Sequence, residues 1–166
     1  MTTQAARIAA LVGNDRRAAD VMLGEFASDL IRAGRDVHGL IQWRGADDAA
    51  LVDLRSGQRY PLFQKLGAGS QSCAVDPGNI ALASQALRRA LTGRADLVIA
   101  NRFGALEAAD GGLLDEMLAL MAAGIPFLTI VADEYLPHWR RTTGECAVEL
   151  PAERAAVDDW FRRALA

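Results

Sequence analysis

The chain has 166 residues, 51% of them hydrophobic and 23% charged, with a formal net charge of −3 at pH 7. That length suits one compact domain, and the apolar fraction excludes wholesale disorder. No apolar run approaches the roughly 18 residues of a membrane helix, and the slight acidity gives no ground for a nucleic-acid partner.

The elements alternate between short β-branched runs and longer amphipathic stretches, which is the pattern of an α/β fold with a largely parallel sheet. Arg7 to Val12 reads as a buried strand, closed by Gly13 and the polar loop Asn14-Asp15-Arg16-Arg17. Ala18 to Ala33 reads as a helix, with Met22, Phe26 and Leu30 on one face and Gly34 as its stop. Asp36 to Trp43 is the second strand. Ala50 to Arg55 and Arg59 to Lys65 flank Ser56-Gly57-Gln58, a hairpin inserted into the alternating pattern. Pro61 places the second arm at an edge, because proline cannot donate to a ladder.

Beyond a loop of small residues, Asp76-Pro77 opens a helix that lines up Ile80, Ala83, Leu87 and Leu91. Asp96 to Ala100 is a central strand by its unbroken apolar character. Leu113 to Ala123 is a further helix, and Pro126 to Ala132 is the last clear parallel strand. Glu134 to Arg141 and Glu153 to Ala166 are expected helices, joined by a short strand or loop around Cys146 to Leu150. No repeat or flexible linker interrupts the chain, so residues 1–166 are expected to form a single domain with its hairpin at about 50–65.

Composition narrows the chemistry. Lys65 is the only lysine among 18 basic residues, which excludes any mechanism needing a lysine elsewhere. Cys73 and Cys146 lie far apart with no CxxC or Cys/His cluster, the pattern of reduced thiols in the cytoplasm without a zinc site. Met1 to Arg7 has no apolar core behind a basic start, so no export signal is expected.

Ligands of open α/β sheets sit beyond the carboxyl ends of the strands, which selects four loops. The first, Gly13-Asn14-Asp15-Arg16-Arg17-Ala18-Ala19-Asp20, stands where a phosphate-binding turn would be. A P-loop, G-x-x-x-x-G-K-[ST], begun at Gly13 would put Ala18, Ala19 and Asp20 on its last three positions, so its glycine, lysine and hydroxyl are all missing. What remains is a helix N-terminus, which attracts anions, bearing Arg16 and Arg17; the competing reading is an ordinary capped loop with both arginines solvated. The second loop, with Gly69, Ser70, Gln71, Ser72 and Cys73, offers backbone nests, hydroxyls and a thiol to an oxyanion, or is a plain connector with Cys73 a small buried hydrophobe. The third places Asn101, Arg102 and Glu107 at the sheet edge, where an arginine can hold a dianion or pair with Glu107. The fourth, Asp133 to Arg141, combines aromatics and cations, with Trp139 a core filler or a pocket cover. His138 has no second ligand nearby, and Trp160 and Phe161 read as packing or an oligomer contact.

Over about residues 7–133 the layout resembles the small P-loop nucleoside-triphosphatases of the cancer-related NTPase type. Leu51-Val52-Asp53-Leu54-Arg55-Ser56-Gly57 matches their LVDL-x-[ST]-G hairpin motif. Their D-E-I-G-x-x-E stretch corresponds to Asn101-Arg102-Phe103-Gly104-Ala105-Leu106-Glu107, which keeps the glycine and final glutamate but replaces both leading acids. A closer resemblance, over nearly the whole length, is to a divergent bacterial branch of unknown function associated with molybdate-transport or nitrogenase genes. It is carried by Gly69-Ser70-Gln71-Ser72-Cys73-Ala74-Val75-Asp76 and by the NRFG-x-x-E segment.

The resemblance implies a P-loop-NTPase-like, doubly wound sheet. It also implies a link to molybdenum metabolism, while the missing lysine and leading acids, with arginines in their place, point to a cytoplasmic, non-hydrolytic protein that binds phosphate or another oxyanion at a degenerate nucleotide site. Two alternatives stand beside that reading: a nucleotide-binding protein or weak NTPase, and an interaction protein with a vestigial site. No catalytic residue and no metal ligand is expected. The ligand expected is a small anion, molybdate or tungstate ahead of ATP or GTP with magnesium, with no nucleic acid or membrane partner and with scope for a homo-oligomer.

Overall fold

The computed structural model describes residues 7–65 and 73–166. Its core is a seven-stranded mixed sheet, with six α-helices among the described residues. In chain order the elements are β1 (Ile8–Val12), α1 (Arg16–Arg32), β2 (Val37–Arg44), β3 (Ala49–Asp53), β4 (Arg59–Pro61), β5 (Phe63–Lys65), β6 (Cys73–Val75) and α2 (Pro77–Ala90). There follow β7 (Leu97–Phe103), α3 (Ala105–Ala108), α4 (Leu114–Ala122), β8 (Phe127–Val131), α5 (Leu136–Thr143), β9 (Val148–Pro151) and α6 (Arg154–Ala164).

The sheet order is β4-β3-β2-β7-β8-β1-β9. The five strands from β2 to β9 along that order run parallel, and β3 and β4 add an antiparallel edge. Strand alternation feeds two cores. Ala10, Leu40, Val98, Ala100 and Phe127 meet Ala83 and Leu87 of α2, Met117 and Leu120 of α4, and Trp139 of α5. Ala9, Leu11, Leu97, Ile99 and Leu128 face the other way, onto Leu23 and Phe26 of α1 and Val157, Trp160 and Phe161 of α6. Helices therefore cover both faces, as β-branched runs buried on both sides require. Trp139, Trp160 and Phe161 are buried packing residues.

Three boundaries differ from the sequence reading for local reasons, and one segment left open as strand or loop resolves as a strand. Helix α1 starts at Arg16 rather than Ala18, because the Asp15 carboxylate caps it by accepting from Ala18 N at 3.0 Å. The connection from β1 to α1 is thus only Gly13-Asn14-Asp15, and Arg16 and Arg17 are helical. The hairpin's second arm breaks at Leu62: β4 pairs with β3, whereas β5 leaves the main sheet to pair with β6. The region around Cys146 to Leu150 yields a fifth parallel strand, β9, beside β1. The helix expected from Glu134 begins as a 3-10 turn over Asp133–Tyr135 and becomes α5, which ends at Gly144 in a left-handed conformation (φ 61°) that terminates helices.

The central strand also departs from expectation. It does not stop at Ala100 but runs through Asn101 and Arg102 to Phe103. Opposite β8, Ile99 pairs with Leu128 while Arg102 pairs with Ile130, so β7 carries one extra residue there. That bulge reverses the alternation. Arg102 consequently lies on the α1 side of the sheet and Phe103 on the opposite side, edge-on to Trp139 at 5.4 Å between centroids.

Candidate functional site

The loops after β1 and β8 lead to helices on opposite faces, α1 and α5, which is where α/β sheets open a crevice. Here side chains bridge that crevice. Asn14 Nδ2 donates to Asp133 Oδ2 at 3.0 Å, and Arg16 Nη2 donates to Glu134 Oε1 at 2.9 Å. The open space lies further along the same edge, toward β7 and β2.

An ion cluster adjoins it, contributing Arg44 and Arg102 to its lining. Asp20, one turn along α1 from Arg16, is 8% exposed and takes two guanidinium groups. Arg102 Nη2 lies 2.5 Å from Oδ1, and Arg44 Nε, at the end of β2, lies 3.4 Å from Oδ2. Among the described residues, Arg102 Nε is a buried donor with no hydrogen-bond partner. Two cations share one carboxylate, so the cluster keeps a net positive charge and spare donors.

Arg16, Arg44 and Arg102 together line a hollow of about 250 Å³, whose remaining wall includes Leu62, Phe63, Val75 and Leu106. A guanidinium presents a planar fork of donors that matches the oxygens of phosphate-like anions. A larger groove of about 830 Å³ lies along α1, where Arg17, Arg32, Arg44 and Arg59 are interspersed with Asp20, Glu25 and Asp29.

The predicted site residues thus separate. Arg16, Asn101, Arg102 and Glu107 come together at the smaller hollow, whereas Arg17 lines the larger groove. Asn101 has its amide engaged: Oδ1 accepts from Gln42 N and Nδ2 donates to Gln42 Oε1, both at 3.0 Å. Its side chain continues the β2–β7 ladder where the bulge interrupts it. Glu107 accepts from Gly104 N at 3.0 Å and Leu113 N at 3.2 Å, so it staples α3 to the approach of α4 instead of pairing with Arg102. Asn14 and Asp15 are occupied in the crevice bridge and the helix cap, and Gly13 sits between them and β1 with φ 137°. Gly69, Ser70, Gln71 and Ser72 lie outside the described residues, as does the side chain of Cys73.

Sequence reasoning missed Arg44 and Asp20. Arg44 looks like a polar strand end, and Asp20 like one more charge on a helix. The available signal was the spacing of Arg16 and Asp20, which places both on one helix face beside the sheet edge.

The resolved shifts in proton affinity lie elsewhere. Hydrogen bonding from Arg140 holds the Glu149 carboxyl below its ordinary 4.5, and the same contact raises Arg140. Arg154 is raised by hydrogen bonds to Asp158 and Asp29. Among the described residues, no group of three or more His, Cys, Asp or Glu side chains could hold a metal ion, and no helix is long and apolar enough to cross a membrane.

Comparison with known proteins places this geometry among relatives. A family described as "Protein of unknown function (DUF2478)" matches residues 8–160. The chain is also 35% identical, over 162 residues, to "Molybdenum import ATP-binding protein ModC 2" of Bradyrhizobium diazoefficiens; the alignment covers 94% of this chain and 18% of that protein. The chain therefore spans less than a fifth of the length of that relative. No solved structure matches the chain significantly.

Proposed function

Since the chain belongs to the DUF2478 family, we propose that it is a non-hydrolytic binding protein whose arginine hollow takes a small phosphate-like oxyanion in a molybdenum-related role. The observation that carries this reading is the convergence of Arg16, Arg44 and Arg102 on one hollow at the carboxyl edge of a mostly parallel sheet. Molybdenum enters through the name of the 35% identical relative. Molybdate and tungstate are tetrahedral dianions, and paired guanidinium donors suit them as they suit phosphate.

The fold is read as a P-loop-NTPase-like one that has lost its cradle. A three-residue β1–α1 connection is too short to wrap a triphosphate, and Ala19 and Asp20 stand where that template has its lysine and hydroxyl. Asp20 is committed to Arg102 and Arg44. Without the lysine and the leading acids at Asn101 and Arg102, charge stabilisation and magnesium placement are both missing, which argues against hydrolysis. A hollow of about 250 Å³ also falls below the roughly 300–1,000 Å³ of sites that enclose drug-sized ligands.

Thermal-shift measurements test this. Molybdate, tungstate, sulfate and phosphate are compared with ATP and GTP, each with and without magnesium. A ligand at 100 times its dissociation constant stabilises the folded chain by about 2.7 kcal/mol. The expected result is a shift with oxyanions alone that Arg16→Ala and Arg102→Ala both diminish. A magnesium-dependent nucleotide shift with phosphate release would instead establish an NTPase, and no shift across the panel would leave the hollow without an anion role.

A further inference from the structure

The hollow is lined in part by cations and in part by apolar side chains. Its apolar lining includes Phe63, Val75 and Leu106, which are 46%, 38% and 40% exposed and stand among the exposed large apolar side chains of the described residues. Phe63 and Val75 are direct partners in the β5–β6 ladder, so they present one continuous apolar surface. The ribbon that carries them is tied down. Asp76 N donates to Leu62 O at 2.8 Å, and Asn79 Nδ2, on the first turn of α2, donates to Pro61 O at 3.0 Å. Leu106 is fixed from the other side by α3, whose N-terminus Glu107 staples.

A bare tetrahedral dianion uses only the arginines. It gains nothing from apolar walls, and an exposed apolar concavity beside fixed polar groups is the usual composition of an organic-ligand site. We infer that the physiological ligand is an organic anion. Its phosphate-like head is held by Arg16, Arg44 and Arg102, and it carries a single flat apolar body that lies against Phe63, Val75 and Leu106. The volume of about 250 Å³ suits one ring bearing one anionic group. This inference rests on the anion-binding reading of the same hollow and replaces the bare oxyanion with a phosphate-like head group borne on an aryl or heteroaryl monoester.

Isothermal titration of the full chain with inorganic phosphate, phenyl phosphate and phenol tests it. Phenyl phosphate is expected to bind at least tenfold more tightly than phosphate, because the ring buries apolar surface that phosphate cannot. Phenol, lacking the head group, is expected to bind far more weakly than phenyl phosphate. Phe63→Ser and Leu106→Ser, both at exposed positions, should each lower the ratio of phenyl phosphate to phosphate affinity. Equal affinity for phosphate and phenyl phosphate overturns the inference and leaves the anion reading standing. Phenol binding as tightly as phenyl phosphate overturns it as well. Silence from phosphate and phenyl phosphate alike defeats the anion reading, and the inference falls with it.

Discussion

Arg102 and Asp20 are 82 residues apart in the chain and 2.5 Å apart in the fold. Two independent features make that contact. The extra residue in β7 turns Arg102 toward α1, and the Asp15 cap sets the phase of α1 so that Asp20 faces the sheet. Asp20→Ala removes the carboxylate from two guanidinium groups and leaves like charges side by side. Breaking a fully buried pair costs roughly 3–5 kcal/mol, and with Arg44 and Arg102 partly exposed the expected loss is about 2–3 kcal/mol. Urea unfolding at pH 7 reads it directly. An anion in the hollow replaces part of the missing charge, so molybdate should stabilise this variant more than the parent chain; equal stabilisation would separate Asp20 from the anion site.

Gly39 governs how closely β2 approaches β7. Its φ is +119°, and a Cβ there would lie on the carbonyl of Ile99 and 2.8 Å from that residue's nitrogen. Gly39→Ala therefore combines a backbone conformation that L-residues avoid with a clash against main chain in a central strand pair. The cost expected is about 3 kcal/mol or more, and chemical denaturation of the variant measures it.

Most of the architecture was legible because hydrophobic burial wrote it. The runs Ile8–Val12, 97–100 and Phe127–Val131 are apolar but for the buried Thr129, since both faces are covered, and the helical spacing of Met22, Phe26 and Leu30 marked α1. Where polar residues carried the pattern, it was hidden. Asn101 and Arg102 read as a loop after an apolar strand, yet Asn101 keeps the ladder going with its side-chain amide. The split at Leu62 was hidden for a related reason, since β5 and β6 are three residues each and draw their order from each other. At the site, Arg16 and Arg102 could be read because they follow apolar strand runs in the sequence. Arg44 and Asp20 were missed because their role depends on a bulge and on pairing across distant elements, with the spacing of Arg16 and Asp20 the one local signal.

The Arg140–Glu149 pair fastens α5 to β9 through two hydrogen bonds, at 2.7 and 2.9 Å. The carboxyl of Glu149 is held below its ordinary 4.5 in the folded chain. A depressed folded value means that the pair stabilises the fold above the unfolded carboxyl value. That contribution fades as pH falls below about 4.5 and is gone once pH passes beneath the folded value. Glu149→Gln should therefore be less stable than the parent at pH 7 and converge with it in acid. The effect is expected to be small, because the pair is largely solvent-exposed. Denaturation midpoints across pH 2.5 to 7, values chosen to bracket carboxylate titration, test both the sign and the window; a gap that persists at the acid end would assign the difference to packing.

Arg17 and Arg44 make the sharpest contrast in the molecule. Arg17 is adjacent to Arg16 in sequence but lines only the mixed-charge groove, whereas Arg44 reaches both that groove and the hollow it shares with Arg16 and Arg102. If the hollow binds an oxyanion, proximity in space decides which arginine matters. Arg17→Ala should then leave molybdate and phosphate affinity unchanged. Arg44→Ala should weaken both about tenfold or more, since a hydrogen bond to a charged group is worth about 1.5–3 kcal/mol. Titration of the two variants side by side decides the matter, with unfolding curves confirming that each remains folded. An Arg17→Ala defect matching that of Arg44→Ala would move the anion out of the hollow and onto the exposed first turn of α1.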